Sequence, residues 1–245
     1  MATKSADKDR KAKIAAMQRQ AKAAERRRTL TIIGAAGVVV ALMAGAVTYA
    51  IVTDENRVPG GDLASLGVAA TAASCDPITT DETTGSGAHV GPGTDQPDQT
   101  TVKYSTVPPS SGPHYAEWEF PNREFYTADD RPRMENLVHN LEHGYTVLWY
   151  DSTANDAQLA TLRGVAKQAN GTTAAKDKFI VSSWDDAYGT FPQGKHFALS
   201  HWSAEPGTPP KQSGNRQLCG DISGAVVNDF ITKHPLTSAP EPGAQ

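Results

Sequence analysis

The chain has 245 residues, enough for one or two domains, and a formal net charge of −4. The net charge hides a basic head, residues 1–28, followed by an acidic remainder. The head is short and has no aromatic residues among its charges, which argues against nucleic-acid binding. The chain contains no Gly-x-Ser-x-Gly elbow, phosphate-binding loop or dinucleotide fingerprint, so these enzyme classes have no support.

Residues 29–53 carry no charged side chain and predict a transmembrane helix. At a rise of about 1.5 Å per residue this segment is long enough to cross a bilayer core. A cleaved signal peptide is the alternative, but its apolar core is usually about 7–15 residues long. The basic head places the N-terminus in the cytoplasm by the positive-inside rule, so we expect a single-pass protein of the cell membrane with residues 54–245 outside the cytoplasm.

The only two cysteines, Cys75 and Cys219, both follow this segment. In an oxidising compartment they predict a disulfide. Such a bridge closes a long loop and contributes about 5 kcal/mol in the chain-entropy model. A thiolate pair for a soft metal is the alternative, although neither cysteine has a second Cys or a His at metal-motif spacing.

The next segment, residues 54–101, is rich in Gly, Thr, Ser, Asp and Pro and predicts a flexible linker. Residues 102–107 alternate enough for a strand. A proline-rich loop then presents His114 beside Tyr115 and Trp118, which predicts the wall of a site.

The rest of the chain alternates between strand and helix patterns. Strands are predicted at 145–150, 178–184 and 195–202, and helices at 155–169 and 221–231. The sequence thus predicts an α+β domain over residues 102–234, with a small mixed or antiparallel sheet flanked by two helices. Residues 235–245 are predicted to be a disordered tail.

The densest chemistry lies in His139-Asn-Leu-Glu142-His143, directly before an apolar run. If this stretch is helical, His139 and His143 lie four apart on one face, a separation that lets two imidazoles share one metal ion. Glu142 is then a ligand, an acceptor for an imidazole N–H, or a general base.

This pattern formally matches the H-x-x-E-H motif of inverted zinc peptidases. Those motifs need a continuing helix, whereas here Gly144 ends any helix and strand residues follow. A purely structural role is also open, in which Glu142 pairs with an imidazole or with Arg131 or Arg133.

The other histidines are unequal candidates for metal ligands. His114 is the best third ligand, His201 is a further candidate, and His89 is predicted to be a solvated loop residue that is still able to ligate a metal. We predict that His196 is solvated and that His234 belongs to the tail. Imidazoles with a carboxylate suit Zn or Cu(II).

Two motifs, Pro109-Ser-Ser-Gly-Pro-His-Tyr-Ala-Glu-Trp118 and Leu137-Val-His-Asn-Leu-Glu-His-Gly-Tyr-Thr-Val-Leu-Trp-Tyr150, resemble the domain of unknown function 3105 family. The resemblance covers roughly residues 60–235. It implies a membrane-anchored protein of the actinobacterial type and supports copper through the genes found beside such proteins, but it implies no activity. The chain departs from the family pattern at His201, where the family has Ala, and at Glu124, where the family tends to have Gly.

We therefore expect a membrane-anchored, extracytoplasmic domain that binds copper or zinc through His114, His139, His143 and Glu142. Its expected partners are the membrane and another exported membrane protein, with no nucleic acid. A non-catalytic interaction domain without metal is the alternative, and a metal-dependent hydrolase using Glu142 is a more distant one. Enzyme activity is not expected.

Overall fold

The computed structural model describes residues 61–83, 87–120 and 122–244, all of which belong to one compact unit. This unit is an α+β fold with a mixed sheet, as predicted, and its described residues contain three α-helices rather than two. No helix among these residues is long and apolar enough to cross a membrane. The predicted transmembrane segment, residues 29–53, lies outside the described residues.

Eight strands form the two sheets of the described residues. They are β1 (Thr79–Glu82), β2 (His89–Val90), β3 (His114–Tyr115), β4 (Phe125–Tyr126), β5 (Thr146–Tyr150), β6 (Phe179–Ser183), β7 (Phe197–Glu205) and β8 (Lys211–Cys219). The main sheet has the order β1-β8-β7-β5-β6-β4, with parallel pairing among β5, β6 and β4 and antiparallel pairing elsewhere. Strands β2 and β3 form a separate parallel pair.

Strand β5 lies in the middle of the main sheet and is buried on both faces. Its side chains alternate between the two faces, as strand geometry requires. Val147 and Trp149 belong to one apolar cluster, and Leu148 and Tyr150 belong to the cluster on the opposite face. The uninterrupted apolar run seen in the sequence is thus explained by helices covering both sides.

The first helix, α1 (Met134–Glu142), covers one face with Leu137, Val138 and Leu141. It ends where predicted, because Gly144 follows with a φ of +92°. A side chain at this position would also meet the carbonyl oxygen of Leu236, 2.5 Å from an added Cβ. Gly144 therefore turns the chain directly from α1 into β5.

The two helices predicted from sequence cover the other face. They are α2 (Asp156–Asn170) and α3 (Gly224–Lys233). A capping box opens α2, in which the Asn155 side chain accepts from the Gln158 N–H and the Gln158 side chain accepts from the Asn155 N–H.

The segment predicted to be a flexible linker contributes to the domain where it is described. Strand β1 pairs with β8, and Leu63 and Leu66 are buried in the core. Cys75 forms the predicted disulfide with Cys219 at the end of β8. The domain thus begins well before residue 102.

Two other predictions differ from the structure. Residues 102–107 are irregular instead of forming a strand, and the Val102 N–H donates to the buried Glu135 carboxylate. The predicted disordered tail contains a short 3-10 helix, Leu236–Ser238, and the buried Ala239. The Lys178 ammonium holds this segment in place by donating to the carbonyls of Pro242 and Ala244, at 3.0 Å each.

Candidate metal centre

The small parallel pair of strands brings two histidines together. In its register His89 lies opposite His114, and the His114 N–H donates to the Ala88 carbonyl. Residues opposite each other in a ladder project to the same face, and the two ring centroids are 5.0 Å apart. His114 is fully buried, whereas His89 is exposed.

Helix α1 supplies two more groups from its last turn. His139 and Glu142 are three residues apart, so they lie on the same side of the helix, and both are buried. The centroids of the His114 and His139 rings are 4.6 Å apart. The helix and the β2–β3 pair therefore meet at these side chains.

Together these residues form a group with the composition of a metal site. One ligand atom each from His89, His114, His139 and Glu142 lies within 4.8 Å of the other three. An open cavity of about 510 Å³ lies beside His89, so the group is reached from solvent on that side.

Backbone carbonyls orient two of the imidazoles. His114 Nδ1 lies 2.8 Å from the Gly112 carbonyl oxygen, and His139 Nδ1 lies 2.6 Å from that of Tyr115. A carbonyl only accepts, so Nδ1 of each ring carries the proton and, in the neutral ring, Nε2 keeps its lone pair. Carbonyl partners of this kind fix the tautomer and ring orientation of metal-ligating histidines.

The lone pair of His114 faces a carboxylate. Its Nε2 lies 3.0 Å from Glu142 Oε2, at ion-pair distance, but no hydrogen bond of acceptable geometry joins the two atoms. With the Nδ1 proton held by Gly112, both facing atoms are acceptors. While the ring is neutral, two acceptors at this distance repel each other, and either a proton on Nε2 or a metal ion between the two atoms removes the repulsion.

The ionisation of the helix residues suits a cation as well. Burial, assisted by the neighbouring His114 and His143, lowers the pKa of His139 to about 4. Burial works to raise the pKa of Glu142, but the proton and positive charge of a protonated His114 at 3.0 Å, followed by the charges of protonated His139 and His89, outweigh this and lower it. At neutral pH the pair is therefore a neutral imidazole and an ionised carboxylate, the forms that bind metals.

His143, which we predicted as a ligand, lies beside the group of four and is not part of it. Its Nε2 is 3.0 Å from His139 Nε2. Because His139 Nε2 has only a lone pair to offer, His143 Nε2 donates in this hydrogen bond. The buried His143 Nδ1 has no partner among the described residues.

The remaining histidine candidates lie elsewhere. His201 is two residues after Leu199 on β7, so both side chains lie on the same face of the sheet. Trp202, whose ring contacts His114, lies on the opposite face. Its two ring nitrogens have partners in the Tyr145 carbonyl and the Ser238 hydroxyl. His196 pairs with Asp151 at 2.9 Å.

An aromatic side chain closes part of the site, as the loop pattern predicted. The Trp118 ring is 5.2 Å from the His139 ring and 4.9 Å from the His143 ring, centroid to centroid. Trp118 is thus close enough for its fluorescence to report on an ion bound at His139.

Sequence reasoning undervalued His89. Its only local signal is a histidine within a glycine-rich turn, a pattern typical of solvated loops. The pairing that places it opposite His114 joins residues far apart in the chain, and a local pattern does not predict such a pairing.

A protein-family model described as "Protein of unknown function (DUF3105)" matches residues 95–245. The matched region contains His114, His139, Glu142 and His143, and it begins after His89 and Cys75. No curated protein and no solved structure matches the chain.

Proposed function

The chain belongs to the DUF3105 family, whose description assigns no activity, and we propose that it binds a transition metal ion through His89, His114, His139 and Glu142. The observation that carries this proposal is the convergence of four ligand atoms within 4.8 Å. Three of these residues are buried, and burying a polar group without a partner costs free energy that a bound ion recovers.

The direction of the lone pairs supports a cation more strongly than the residue types alone. Two imidazole Nε2 atoms, each oriented by a carbonyl at the other nitrogen, lie beside the Glu142 carboxylate. His114 Nε2 has no hydrogen-bond partner in the described part of the chain, and His139 Nε2 accepts only from His143. A structural cluster of this kind would normally alternate donors with acceptors. A metal ion accepts all of these lone pairs at once.

The donor set favours Cu(II) or Zn(II). Three imidazoles and one carboxylate suit these borderline ions, and tetrahedral zinc sites use the same ligand types. Both cysteines are held in the disulfide, so neither supplies a thiolate. Met134 lies at the opposite end of α1 from Glu142, which gives no support to a soft Cu(I) site.

We propose further that the site operates outside the cytoplasm on a single-pass membrane protein. The basic head, the uncharged residues 29–53 and the cysteine pair support this location. The proposed role is metal handling or cofactor assembly at the membrane, with another exported membrane protein as the partner.

The test is a count of bound metal. The full chain in mild detergent is loaded with Cu(II) or Zn(II), freed of excess ion and measured by elemental analysis. We expect about one equivalent, lost in the His114→Ala/His139→Ala protein and retained in the His196→Ala control. Less than about one tenth of an equivalent in the unaltered chain, or no difference between it and the double variant, would falsify the proposal.

A structural role is the second candidate, favoured by the hydrogen bond between His143 and His139. On this hypothesis the turn after α1 is held by the imidazole pair, and His143→Ala lowers the melting temperature equally with and without chelator. A metal site predicts instead that added metal raises the melting temperature and that chelator removes the increase.

A further inference from the structure

On the basis of the proposed metal site, we infer that His143 and Glu241, together with His139, form a second metal position beside the group of four. The two positions share His139, so a bound ion changes from one to the other by exchanging its remaining ligands. Neither His143 nor Glu241 belongs to the group of four, and Glu241 lies in a segment whose sequence predicts only a tail.

Two of the three side-chain pairs are close enough to share an ion, and the exposed Glu241 side chain is free to move toward His139. His143 Nε2 lies 3.0 Å from His139 Nε2 and 3.7 Å from Glu241 Oε2. Metal bonds to imidazole or carboxylate are about 2.0–2.2 Å long, so two ligands of one bound ion are at most about 4.4 Å apart. Both separations fall below this limit. The group of four, whose ligand atoms lie within 4.8 Å of one another, would therefore close slightly around an ion.

The backbone around Glu241 is fixed although its side chain is exposed. The Glu241 N–H donates to the Glu142 carbonyl at 3.0 Å, which docks the tail on the end of α1. The Lys178 ammonium adds a bond of 2.7 Å to the His143 carbonyl and two bonds to the tail carbonyls. The Glu241 side chain, 59% exposed, therefore stands between solvent and His143.

His143 differs from the other buried imidazoles in its freedom. His114 and His139 each have Nδ1 bonded to a carbonyl, whereas His143 Nδ1 is buried and without a partner in the described part of the chain. Its proton is on Nε2 in the hydrogen bond with His139, but no carbonyl fixes it there, so transfer of the proton to Nδ1 frees the Nε2 lone pair for an ion. This property suits a ligand that engages and releases an ion.

The two positions exclude each other, because His139 Nε2 has a single lone pair to donate. The chain should thus hold one ion at a time, even with two positions available. The second position is the weaker one, since its carboxylate is solvated and the Lys178 charge lies nearby. It serves as a station for an ion that moves between solvent and the buried group.

Competitive Cu(II) titration of the full chain separates the two positions. Alone, Glu241→Gln should change the affinity less than about twofold, because the buried group remains intact. His114→Ala should weaken binding by about 10–100-fold and still leave one equivalent at the second position. In that background, Glu241→Gln should weaken it by a further tenfold or so. Glu205→Gln, at an exposed glutamate of β7, is the matched control.

Because His114 is fully buried, Glu142→Gln provides a second background if the His114 variant fails to fold. Release of Cu(II) to excess EDTA should be at least about threefold slower in His143→Ala than in the unaltered chain.

The inference is overturned if Glu241→Gln has no effect in either background, or if His114→Ala abolishes binding altogether. Unchanged release from His143→Ala would also overturn it and indicate that the ion leaves past His89. The proposed function survives each of these results, provided that the unaltered chain binds one equivalent. Failure of that binding overturns both.

Discussion

Helix α1 carries a buried carboxylate at each end, and the two are surrounded by opposite kinds of partner. Glu135, in the first turn, accepts from the Val102 N–H at 2.9 Å and from the Tyr188 hydroxyl at 3.0 and 3.1 Å. Glu142, the last residue of the helix, faces the His114 Nε2 lone pair and receives no hydrogen bond from it. The same side chain on the same helix thus faces hydrogen-bond donors in one place and imidazole ring nitrogens in the other.

The helix dipole increases this contrast. A carboxylate at the N-terminus is stabilised by about 0.3–1 kcal/mol, and one at the C-terminus is destabilised by a similar amount. Glu135 is placed where its charge stabilises the helix, and Glu142 is placed where its charge destabilises it. The difference teaches that the partners of a buried carboxylate distinguish a structural group from a ligand better than its burial does.

The largest expected effect concerns Glu135, at the N-terminal end of α1. Glu135→Ala should lower the free energy of unfolding by about 3 kcal/mol, because one buried donor and one partly buried donor lose their acceptor at about 1–3 kcal/mol each. Urea unfolding of the full chain in EDTA measures the change, with the exposed Glu117→Ala as control. A loss below about 1 kcal/mol would contradict the structural role of Glu135.

Metal affinity should depend on Glu142, at the C-terminal end of α1. Glu142→Gln should weaken Cu(II) binding by about 10–100-fold, equivalent to about 1.4–2.7 kcal/mol, because a neutral amide replaces the charged ligand. Glu135→Gln should leave the affinity unchanged, which competitive titration of both variants checks. Equal losses in the two variants would remove the distinction between the two ends of α1.

His201 extends the contrast to histidines, since both of its nitrogens have partners. Complete burial lowers its pKa from about 6.5 to about 3. The unfolded chain therefore binds more protons between these values, and stability is lost as the pH falls below 6.5.

At pH 5 this histidine should cost about 2 kcal/mol relative to pH 8. Urea unfolding at both pH values measures the free energy of unfolding lost between pH 8 and pH 5, and this loss should be about 2 kcal/mol smaller in His201→Asn than in the unaltered chain. The other buried histidines contribute equally to both proteins. Identical losses in the two proteins would show that His201 does not contribute to the pH dependence.

The smallest effect has an unusual sign. In the metal-free protein, Glu142→Gln should raise the free energy of unfolding by about 1 kcal/mol, because the new amide N–H donates to His114 Nε2. Glu135→Gln should lower the free energy of unfolding, because the new amide N–H is a donor beside the Val102 N–H and the Tyr188 hydroxyl, which also donate. Urea unfolding in EDTA compares the two, and destabilisation by both substitutions would mean that Glu142 is a satisfied structural group.

Much of the fold follows from patterns within single segments. The apolar run at β5, the amphipathic pattern of α2 and the strand patterns at β6 and β7 depend on side chains that face a core, so local periodicity predicts them. The spacing of His139 and Glu142 on one helical face is predictable for the same reason. Gly144 is similarly readable as a helix end.

The missed elements depend on long-range pairing. Strand β8 has a polar sequence, KQSGNRQLC, and its side chains give no clear alternation. Strand β1 is held by backbone bonds and by the Asp81–Arg216 ion pair, with Oδ2 to Nε at 2.5 Å, which links distant residues. His89 joins the site through the pairing of β2 with β3. His143 lies behind His139 and outside the group of four, although the i, i+4 spacing on α1 predicts that both histidines share one ion.

The N-terminal position of β1 has a practical consequence for anyone who expresses this domain. A fragment covering only the matched residues 95–245 would lack β1, Cys75 and His89. Residues 213–216 of β8 would then form an open sheet edge with unpaired N–H and C=O groups, next to Cys219 as a free thiol. Exposed edges pair with other chains, so such a fragment should aggregate or form disulfide-linked dimers under oxidising conditions.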